Sequence, residues 1–381
     1  MSGFPRGRTA IVGAATFGGA SAPGYGPEEI VGIAARDALF DAGLTPADVD
    51  GLFVTHSGDA FGGGLELAQY LGIEPKVADN SRTGGNVFES YLERAAWLLD
   101  AGLIDVALIA FGSNQASATG KPSSSRGPFV YEAPYKPVNP ITSYALAAAR
   151  HMHEFGTTKE HLGEVAIAAR SWAQLNPEAV RREALTMDEY LSARMICDPL
   201  GKLDCCLVTD GGGAIIMTRI DRAKDLKSKP VQVLGAASRT THYQIMGMAD
   251  LTTTSLAECG RRAFVAAGLG PNDMDVIELY DAFTINTIMF LEDLGYCPKG
   301  EGGRFVEDGR IAVGGELPVN TNGGGLSCMH PGMYGLFTII EAVRQLRGEC
   351  GDRQVKGAKT ALAQGNGGFF SSQAVAILAV E

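Results

Sequence analysis

Apolar runs alternate along the chain with segments whose apolar residues recur at helical spacing. The runs at 105–111 and 358–363 are nearly continuous, which is typical of strands buried on both faces of a sheet. After the loop at 80–85, apolar residues recur every three or four positions and predict an amphipathic helix. The alternation predicts an α/β fold in which helices cover the sheets. The apolar helix positions are Phe88, Tyr91, Leu92, Ala95, Leu98 and Leu99.

The chain contains an internal duplication. Residues 42–50 and 267–275 share six identical residues at a constant offset of 225 positions. In both copies an apolar strand follows, and then an Asn- and Gly-rich loop, at 80–85 in the first copy and at 320–325 in the second. A repeat of this length constrains the whole fold. The sequence therefore predicts two similar α/β halves.

The duplication also suggests the domain boundaries. We expect a first half at 1–225 and a second at 226–381, with the charged segment 221–229 as the linker between them. The stretch at about 113–194 has no counterpart in the second half. It is rich in Pro, Ser and Tyr at first and helical later. It predicts an insertion that covers a site.

Composition narrows the function classes. The chain has 381 residues, 45% of them apolar, and a formal net charge of −11, which argues against a general nucleic-acid surface. Seven cysteines without a C-x-x-C pair predict neither a disulfide framework nor a structural zinc site. The N-terminus has no apolar core, and no apolar stretch approaches the roughly 18 residues of a spanning helix. We therefore expect a cytoplasmic protein without a membrane segment.

The glycine-rich loop of each half precedes a predicted helix, where backbone N–H groups and the helix dipole favour an anion or a developing oxyanion. Ser81 lies in the first loop and is a candidate functional hydroxyl, although a turn or capping role is the alternative. In the second loop, Pro331 fits the first helical position and places His330 near the N-cap. A helix N-terminus disfavours imidazolium, so we expect a neutral histidine; the alternative is that it only caps the helix.

Two further segments carry candidate chemistry. The loop at 365–368 follows the last long apolar strand of the second half, and its backbone N–H groups could bind an oxyanion or form a plain tight turn. At 280–284 a strand ends with a phenol, a carboxylate and a hydroxyl. Motifs for nucleotide hydrolysis, dinucleotide binding, zinc proteolysis and the serine-hydrolase elbow are absent from the sequence.

Together with the duplication, these four segments resemble the thiolase superfamily over essentially the whole chain. Its C-x-S-G motif corresponds to residues 81–84, and its N-E-A-F or H-D-C-F segment to residues 280–283. Its N-P-N-G-G…G-H-P-x-G segment corresponds to residues 320–332, and its C-x-G loop to residues 364–367. The resemblance is nearest to the lipid-transfer-protein branch, related to the sterol carrier protein thiolases. It implies a five-layer αβαβα fold built from two duplicated βαβαβαββ halves.

The resemblance also implies roles for individual residues. Ser81 takes the place of the nucleophilic cysteine, and Gln364 that of the acid/base cysteine. His330 is the retained catalytic histidine, and Tyr280 stands where an Asn or His helps to build the first oxyanion hole. Backbone N–H groups of Ser81 and Asn366 would form the second. Further motif residues expected to bind the oxyanion or the substrate are Asp281, Asn320, Asn322, Gly324 and Gly367.

Loss of both cysteines changes the expected chemistry, because an alcohol needs stronger activation than a thiol to act as a nucleophile. The chain should still bind a thioester carbonyl, stabilise its enolate and move a proton. We therefore expect retro-aldol cleavage of a β-hydroxyacyl-CoA. A thiolase-type acyltransferase and a non-catalytic acyl-CoA or lipid-binding subunit are the alternatives. The resemblance implies that tyrosines near these positions carry the proton transfer in this branch. Tyr280 matches one of them and His330 departs from the other, for which Tyr334 could substitute only if the helix turns it inward.

The implied ligands and partners follow from the same resemblance. The substrate is a coenzyme A thioester, and neither a covalently bound cofactor nor a metal ion is expected in this chain. The core should be a homodimer. A small partner protein with an OB fold and a zinc ribbon is expected to complete or gate the acyl-CoA site.

Overall fold

The computed structural model describes residues 3–55, 63–121 and 130–381. Eleven strands lie within these residues, and nine of them form one continuous sheet in the order β3-β2-β4-β7-β1-β8-β11-β10-β9. The remaining two form a small hairpin. The strands are β1 Thr9–Phe17, β2 Gly51–Val54, β3 Val77–Asp79, β4 Val106–Ser113, β5 Met195–Cys197, β6 Leu200–Gly201, β7 Gly211–Arg219, β8 Val231–Thr240, β9 Val276–Glu278, β10 Thr360–Gly367 and β11 Ser372–Ala379.

Twelve α-helices accompany the strands in the described residues, and none is long and apolar enough to cross a membrane. They are α1 Pro27–Ala42, α2 Gly63–Leu71, α3 Val87–Asp100, α4 Gln115–Thr119, α5 Ile141–Phe155, α6 Lys159–Gln174, α7 Met187–Leu191, α8 Ile220–Ala223, α9 Leu256–Ala267, α10 Thr284–Asp293, α11 Gly302–Phe305 and α12 Gly335–Arg347.

The two halves of the sheet have the same topology. In the first half the order is β3-β2-β4-β7-β1, in which β2 is parallel to both β3 and β4 and the later pairs are antiparallel. In the second half the order β9-β10-β11-β8 has the same directions, and Val319 bridges to Ile277 in parallel where β3 pairs with β2. The predicted duplication is confirmed by this topology.

One close approach between helix and strand occurs in both halves. A Cβ atom at Gly13 would lie 2.1 Å from the carbonyl oxygen of Ala38, and one at Gly235 would lie 2.3 Å from that of Ala263. Glycine is needed in β1 and β8 so that α1 and α9 can pack directly on the strand backbone. Ala38 and Ala263 are separated by the same 225 positions as the repeat, and Gly13 and Gly235 occupy matching positions in the similar segments IVGAA at 11–15 and VLGAA at 233–237.

The layers follow from which helices pack against which strands. Helix α1 covers the first half-sheet through β1, β4 and β7, and α9 covers the second through β8 and β11. Helices α3 and α12 contact strands of both half-sheets and form the central layer. The half-sheets join where β1 pairs with β8 over two residues. The five-layer αβαβα fold expected from the resemblance is confirmed.

Between β4 and β7 the chain leaves the layered core. It forms α4 to α7 and the β5–β6 hairpin, and α6 packs against α10 and against a π-helical turn at Gly324–Cys328. One strand boundary differs from expectation, because β10 pairs with β11 as far as Gly367. Asn366 and Gly367 are therefore strand residues, and the predicted loop at 365–368 is shorter than expected.

Candidate active site

A cavity of about 1100 Å³ opens between the layered core and the segment that joins β4 to β7. Tyr280 and His330 reach it from the core, and Tyr144 and Arg170 line it from α5 and α6. Much of its remaining wall is apolar. This wall includes Val138, Ile141, Leu185, Ile196, Leu203, Val208, Phe283, Leu326, Met333 and Phe369.

The closest contact between titratable side chains at the cavity wall joins Tyr280 and His330. The hydroxyl oxygen of Tyr280 lies 3.1 Å from Nε2 of His330, and the two rings meet edge to face. Both residues are buried in the protein yet border the cavity. The structure thus brings together the phenol and the imidazole singled out by the sequence motifs.

Backbone hydrogen bonds fix the position of Tyr280 just beyond the end of β9. Its N–H donates to Oε1 of Gln364 at 3.0 Å, and its carbonyl oxygen accepts from the side-chain amide of Asn286. The preceding N–H, of Leu279, donates to Oδ1 of Asn320 at 2.6 Å. Gln364 occupies the position expected for the second cysteine, but it acts as a support for Tyr280 and does not line the cavity.

His330 follows the π-helical turn rather than starting a helix. Its N–H donates to Oγ1 of Thr209, and α12 begins only at Gly335. The expected helix start at Pro331 is wrong, because Gly332 has a φ of 94° and cannot continue a right-handed helix. His330 therefore does not lie at a helix N-terminus, and no helix dipole of this kind acts on its imidazole.

The imidazole of His330 is neutral, as predicted, but the cause is burial and not a helix dipole. Desolvation lowers the pKa of His330 to about 4, because a buried imidazolium loses its hydration. Burial also raises the pKa of the Tyr280 hydroxyl well above its ordinary value. At neutral pH the pair consequently consists of an uncharged phenol and an uncharged imidazole that can exchange one proton.

Asp281 supports the turn that leads to His330. Its carboxylate accepts the N–H groups of Gly325 at 2.6 Å and of Leu326 at 3.3 Å. Burial raises its pKa to about 7 although these two hydrogen bonds lower it. Asp281 does not line the cavity. In this structure its carboxylate is engaged by the backbone of the turn, and the substrate contact of Asp281 stays a prediction.

Three other motif residues make contacts within the protein and do not line the cavity. Asn320 has a φ of 53° and holds the N–H of Leu279. Asn322 accepts from the N–H of Gly324 at 2.7 Å and from the hydroxyl of Tyr334 at 2.9 Å. A Cβ at Gly324 would lie 2.0 Å from the Asp281 carboxylate. These groups are engaged inside the protein, and the substrate contacts of Asn320, Asn322 and Gly324 stay predictions.

Ser81 lies outside the cavity. Both its N–H and its hydroxyl donate to Oδ1 of Asp79, at 2.9 and 2.7 Å, and Arg94 donates to the same hydroxyl. The N–H is therefore directed at Asp79 in this structure, and the oxyanion role of Ser81 stays a prediction. The part of this loop that does line the cavity is Gly84 and Gly85.

Three loops meet where Gly84 and Gly85 border the cavity. A Cβ at Gly85 would lie 2.1 Å from the Tyr280 ring, and one at Gly84 would lie 2.5 Å from the Cα of Gly367. Gly367 itself packs on the carbonyl of Thr83. Gly367 is thus a close-packing residue rather than a cavity residue, because the loop backbone already covers it.

Tyr144 is a site residue that the motifs did not reveal. Its hydroxyl accepts from Nδ2 of Asn366 at 2.6 Å and donates to the carbonyl of Gly368 at 2.9 Å. Its ring stacks on Phe283 with centroids 4.5 Å apart. Asn366 lines the cavity as expected, but its side-chain amide contacts Tyr144. Tyr144 lies in the stretch without a duplicated counterpart, so no internal alignment marked it.

The charged lining of the cavity is entirely basic. Among the residues that the structure describes, no Asp or Glu borders the cavity, and none of its cations forms an ion pair. This contrasts with the net charge of −11 of the chain. The basic field favours an anionic ligand. The cations are Lys121, Arg170, Arg181, Arg194 and Lys202.

Two thiols border the cavity, but neither is ionised. Burial raises the pKa of Cys205 to about 12, and that of Cys206 further still. A thiolate is the nucleophilic form of cysteine. These residues therefore do not replace the missing catalytic cysteines. No cluster of three or more potential metal ligands occurs within residues 3–55, 63–121 and 130–381.

Comparison with known proteins gives the family. A family model described as thiolase C-terminal domain-like matches residues 237–380. An acetyl-CoA acetyltransferase of Methanothermobacter thermautotrophicus is 33% identical and aligns over 89% of this chain and 91% of its own length. A 17-hydroxy-3-oxo-4-pregnene-20-carboxyl-CoA lyase of Mycobacterium tuberculosis is 35% identical over 90% of this chain and 92% of its own. This chain belongs to the thiolase superfamily.

A solved structure places this thiolase-superfamily chain more narrowly. An Ltp2-ChsH2(DUF35) aldolase superposes with a TM-score of 0.90, at 30% identity and with 98% of both chains covered. The resemblance to the lipid-transfer-protein branch, drawn from the motifs, is confirmed. Ser81 and Gln364, which the motifs predict at the positions of the two cysteines, do not border the cavity.

Proposed function

We propose that this chain is an acyl-CoA aldolase that cleaves the Cα–Cβ bond of a β-hydroxyacyl-CoA without a covalent acyl-enzyme. The observation that carries the proposal is the hydrogen-bonded pair of Tyr280 and neutral His330 at the wall of a large cavity that holds no ionised thiol. The lyase and aldolase names of the two relatives above support the same reaction class.

The pair can carry the proton that the reaction must move. With the imidazole proton on Nδ1, Nε2 accepts the hydroxyl proton of Tyr280 while the phenol oxygen takes the β-hydroxyl proton of the substrate. The β-carbon oxygen then forms a C=O bond, and the Cα–Cβ electron pair becomes the thioester enolate. Return of the same proton to Cα completes the cleavage, so that no proton is lost overall.

The enolate oxygen requires hydrogen-bond donors at the cavity wall. Gly84 and Gly85 border the cavity just before α3, where the helix dipole is positive. We propose that the thioester carbonyl lies against this backbone, beside Tyr280. The arrangement needs no cofactor, and the coenzyme A thioester is the substrate.

The basic lining supports binding of coenzyme A, which carries several phosphate charges. Lys121, Arg194 and Lys202 are exposed cations at this cavity. The acyl group would occupy the apolar part of the space, whose volume suits a bulky group. By the name of its substrate, the Mycobacterium tuberculosis relative acts on a steroid-derived thioester.

A partner protein belongs to the same proposal. The similar aldolase structure is named for ChsH2(DUF35) together with Ltp2. We propose that a small protein with an OB fold and a zinc ribbon likewise assembles with this chain, and that two copies of the chain form the core.

Acyl transfer is the second candidate, since the acetyltransferase relative aligns over most of both chains. It would require a nucleophile in the cavity. Cys205 and Cys206 are protonated there, and the hydroxyl of Ser81 contacts Asp79 instead. These observations favour the aldolase.

The test compares products. The chain, with any partner that co-purifies, is incubated with a panel of β-hydroxyacyl-CoA thioesters and with β-ketoacyl-CoA thioesters plus free CoA. The proposal predicts one carbonyl compound and one shorter acyl-CoA from the hydroxy thioesters, without consumption of CoA. CoA-dependent cleavage of the keto thioesters, with an acyl mass added to the protein, would establish the transferase. Binding without turnover of either class would indicate a binding subunit.

A further inference from the structure

Arg170 is a buried cation in the cavity wall, and the carboxylates of Glu183 and Glu189 act on it only from beyond ion-pair distance. The residue is 8% exposed. Its Nε donates to Oγ of Ser327 at 3.0 Å, and one terminal nitrogen donates to the carbonyl of Glu183 at 3.1 Å. These contacts use two of the five guanidinium N–H groups. No described carboxylate forms an ion pair with it.

A second arginine, Arg181, contacts the same serine through its backbone, and its side chain is exposed. The backbone N–H of Arg181 donates to the carbonyl of Ser327 at 2.9 Å, and its side chain also lines the cavity. The side chain of Arg170 and the backbone of Arg181 therefore both contact Ser327. Burial lowers the pKa of Arg170; the charge of Glu183 opposes this effect, Arg181 adds to it, and Glu189 opposes it. A buried guanidinium outside ion-pair distance of any described carboxylate is destabilising, so an anion that reaches Arg170 from the cavity would stabilise this part of the wall.

Both arginines contact Ser327, which lies near the reacting end of the cavity. Ser327 belongs to the same π-helical turn as Gly325, and a Cβ at Gly325 would lie 3.2 Å from the His330 ring. Two residues span at most about 7 Å of chain. The phosphates of coenzyme A are separated from the thioester by the whole pantetheine arm. A group held by Arg170 beside this turn therefore fits the acyl part of a substrate better than the nucleotide part.

We propose that Arg170 and Arg181 form a subsite for a carboxylate carried by the acyl group, so that the chain prefers thioesters of dicarboxylic acids. The inference rests on the proposed acyl-CoA chemistry and adds a substrate class to it. A planar guanidinium binds a carboxylate through two parallel N–H groups. The free N–H groups of Arg170 supply this geometry.

The test measures binding, not turnover. Glutaryl-, adipyl- and suberyl-CoA are compared by calorimetry with pentanoyl-, hexanoyl- and octanoyl-CoA, which have the same carbon numbers without the second carboxylate. The variants are Arg170→Gln, Arg170→Lys and Arg181→Gln, each checked for folding by thermal melting. Arg194→Gln is the matched control, because Arg194 is an exposed cation of the same cavity.

We expect wild-type protein to bind at least one dicarboxylyl-CoA about 10- to 100-fold more tightly than its monocarboxylyl counterpart. Arg170→Gln should abolish this preference while pentanoyl-CoA affinity stays within about threefold, and Arg170→Lys and Arg181→Gln should each weaken it. Arg194→Gln should affect both ligands alike and leave the preference intact.

Two results would overturn the inference. Equal affinity of wild type for the paired thioesters would show that no such subsite exists. If Arg170→Gln weakened the binding of both thioesters of a pair equally, Arg170 would contact the coenzyme A portion and not the acyl carboxylate. In either case the retro-aldol proposal stands, whereas failure of wild type to bind any of the six thioesters would remove both.

Discussion

Gln364 accepts the backbone N–H of Tyr280 through Oε1 at a distance of 3.0 Å. Its amide nitrogen donates to the Gly365 carbonyl and to Oε1 of Gln373. Gln364, which the motifs predict at the position of an acid/base cysteine, therefore supports Tyr280 through hydrogen bonds. Supporting hydrogen bonds of this kind hold catalytic groups in place.

Gln364→Leu should lower turnover more than binding. The substitution leaves the Tyr280 N–H without its acceptor and should reduce the free energy of unfolding by about 2 kcal/mol. We expect kcat to fall at least about tenfold as the phenol loses its position, with acyl-CoA affinity unchanged in calorimetry. A variant with lower stability but wild-type kcat would show that this hydrogen bond does not position Tyr280.

Tyr280→Phe should remove the proton carrier and keep the fold. The ring packs in the same place, and only the hydroxyl beside His330 is lost. We expect kcat for a β-hydroxyacyl-CoA to fall by about two to four orders of magnitude, while the melting temperature changes little. Steady-state kinetics on the pure variant measure this, and a kcat within about threefold of wild type would exclude the phenol from the proton step.

His330 should make both stability and activity depend on acid pH. Its folded-state pKa of about 4 lies below its ordinary value, so the unfolded chain binds the proton more readily between about pH 6.5 and pH 4. Its contribution is present above about pH 6.5 and is lost as pH falls towards 4, up to about 3 kcal/mol.

Denaturant unfolding of wild type and His330→Gln at several pH values isolates this contribution. The stability difference between the two proteins should shift in favour of the variant as pH falls across that window. In parallel, wild-type kcat should decline only as pH approaches about 4. A difference that stays constant with pH would mean that the histidine is not buried in its neutral form.

Ser81→Ala should leave the reaction nearly intact. The hydroxyl contacts Asp79 and Arg94, outside the cavity. We expect kcat within about threefold of wild type and a loss of about 1 kcal/mol in unfolding free energy. Intact-protein mass spectrometry after incubation with acyl-CoA should show no adduct. An acyl group on Ser81 would restore the nucleophile role that the motif suggested.

Gly85→Ala should displace the Tyr280 ring, because the added Cβ would lie 2.1 Å from it. We expect at least a tenfold loss of kcat and a destabilisation of about 1–3 kcal/mol. Gly26→Ala is the control, since its nearest new contact is 3.4 Å away. Similar kinetics for the two variants would show that the approach of this loop to Tyr280 has no effect on catalysis.

Much of the fold could be predicted because the internal duplication shows which segments form equivalent strands and helices in the two halves. The aligned Gly13 and Gly235 lie under Ala38 and Ala263 in the two halves, and the apolar runs became the buried strands β4 and β10. The division of the chain at residues 225 and 226 stays a prediction.

The site was predictable only in part. Tyr280 and His330 were found because motifs mark them, whereas the orientation of Ser81 depends on Asp79 and Arg94, which no motif includes. Tyr144 lies in the stretch that has no repeat. The positive φ of Gly332, which delays α12, is not visible in the local pattern that made Pro331 look like a helix start.

Cleavage of a β-hydroxyacyl-CoA in deuterium oxide, followed by mass analysis of both products, tests the central claim most directly. Retro-aldol cleavage predicts one deuterium at Cα of the shorter acyl-CoA, an equimolar carbonyl compound and no requirement for free CoA. Two acyl-CoA products formed only when free CoA is supplied would contradict it.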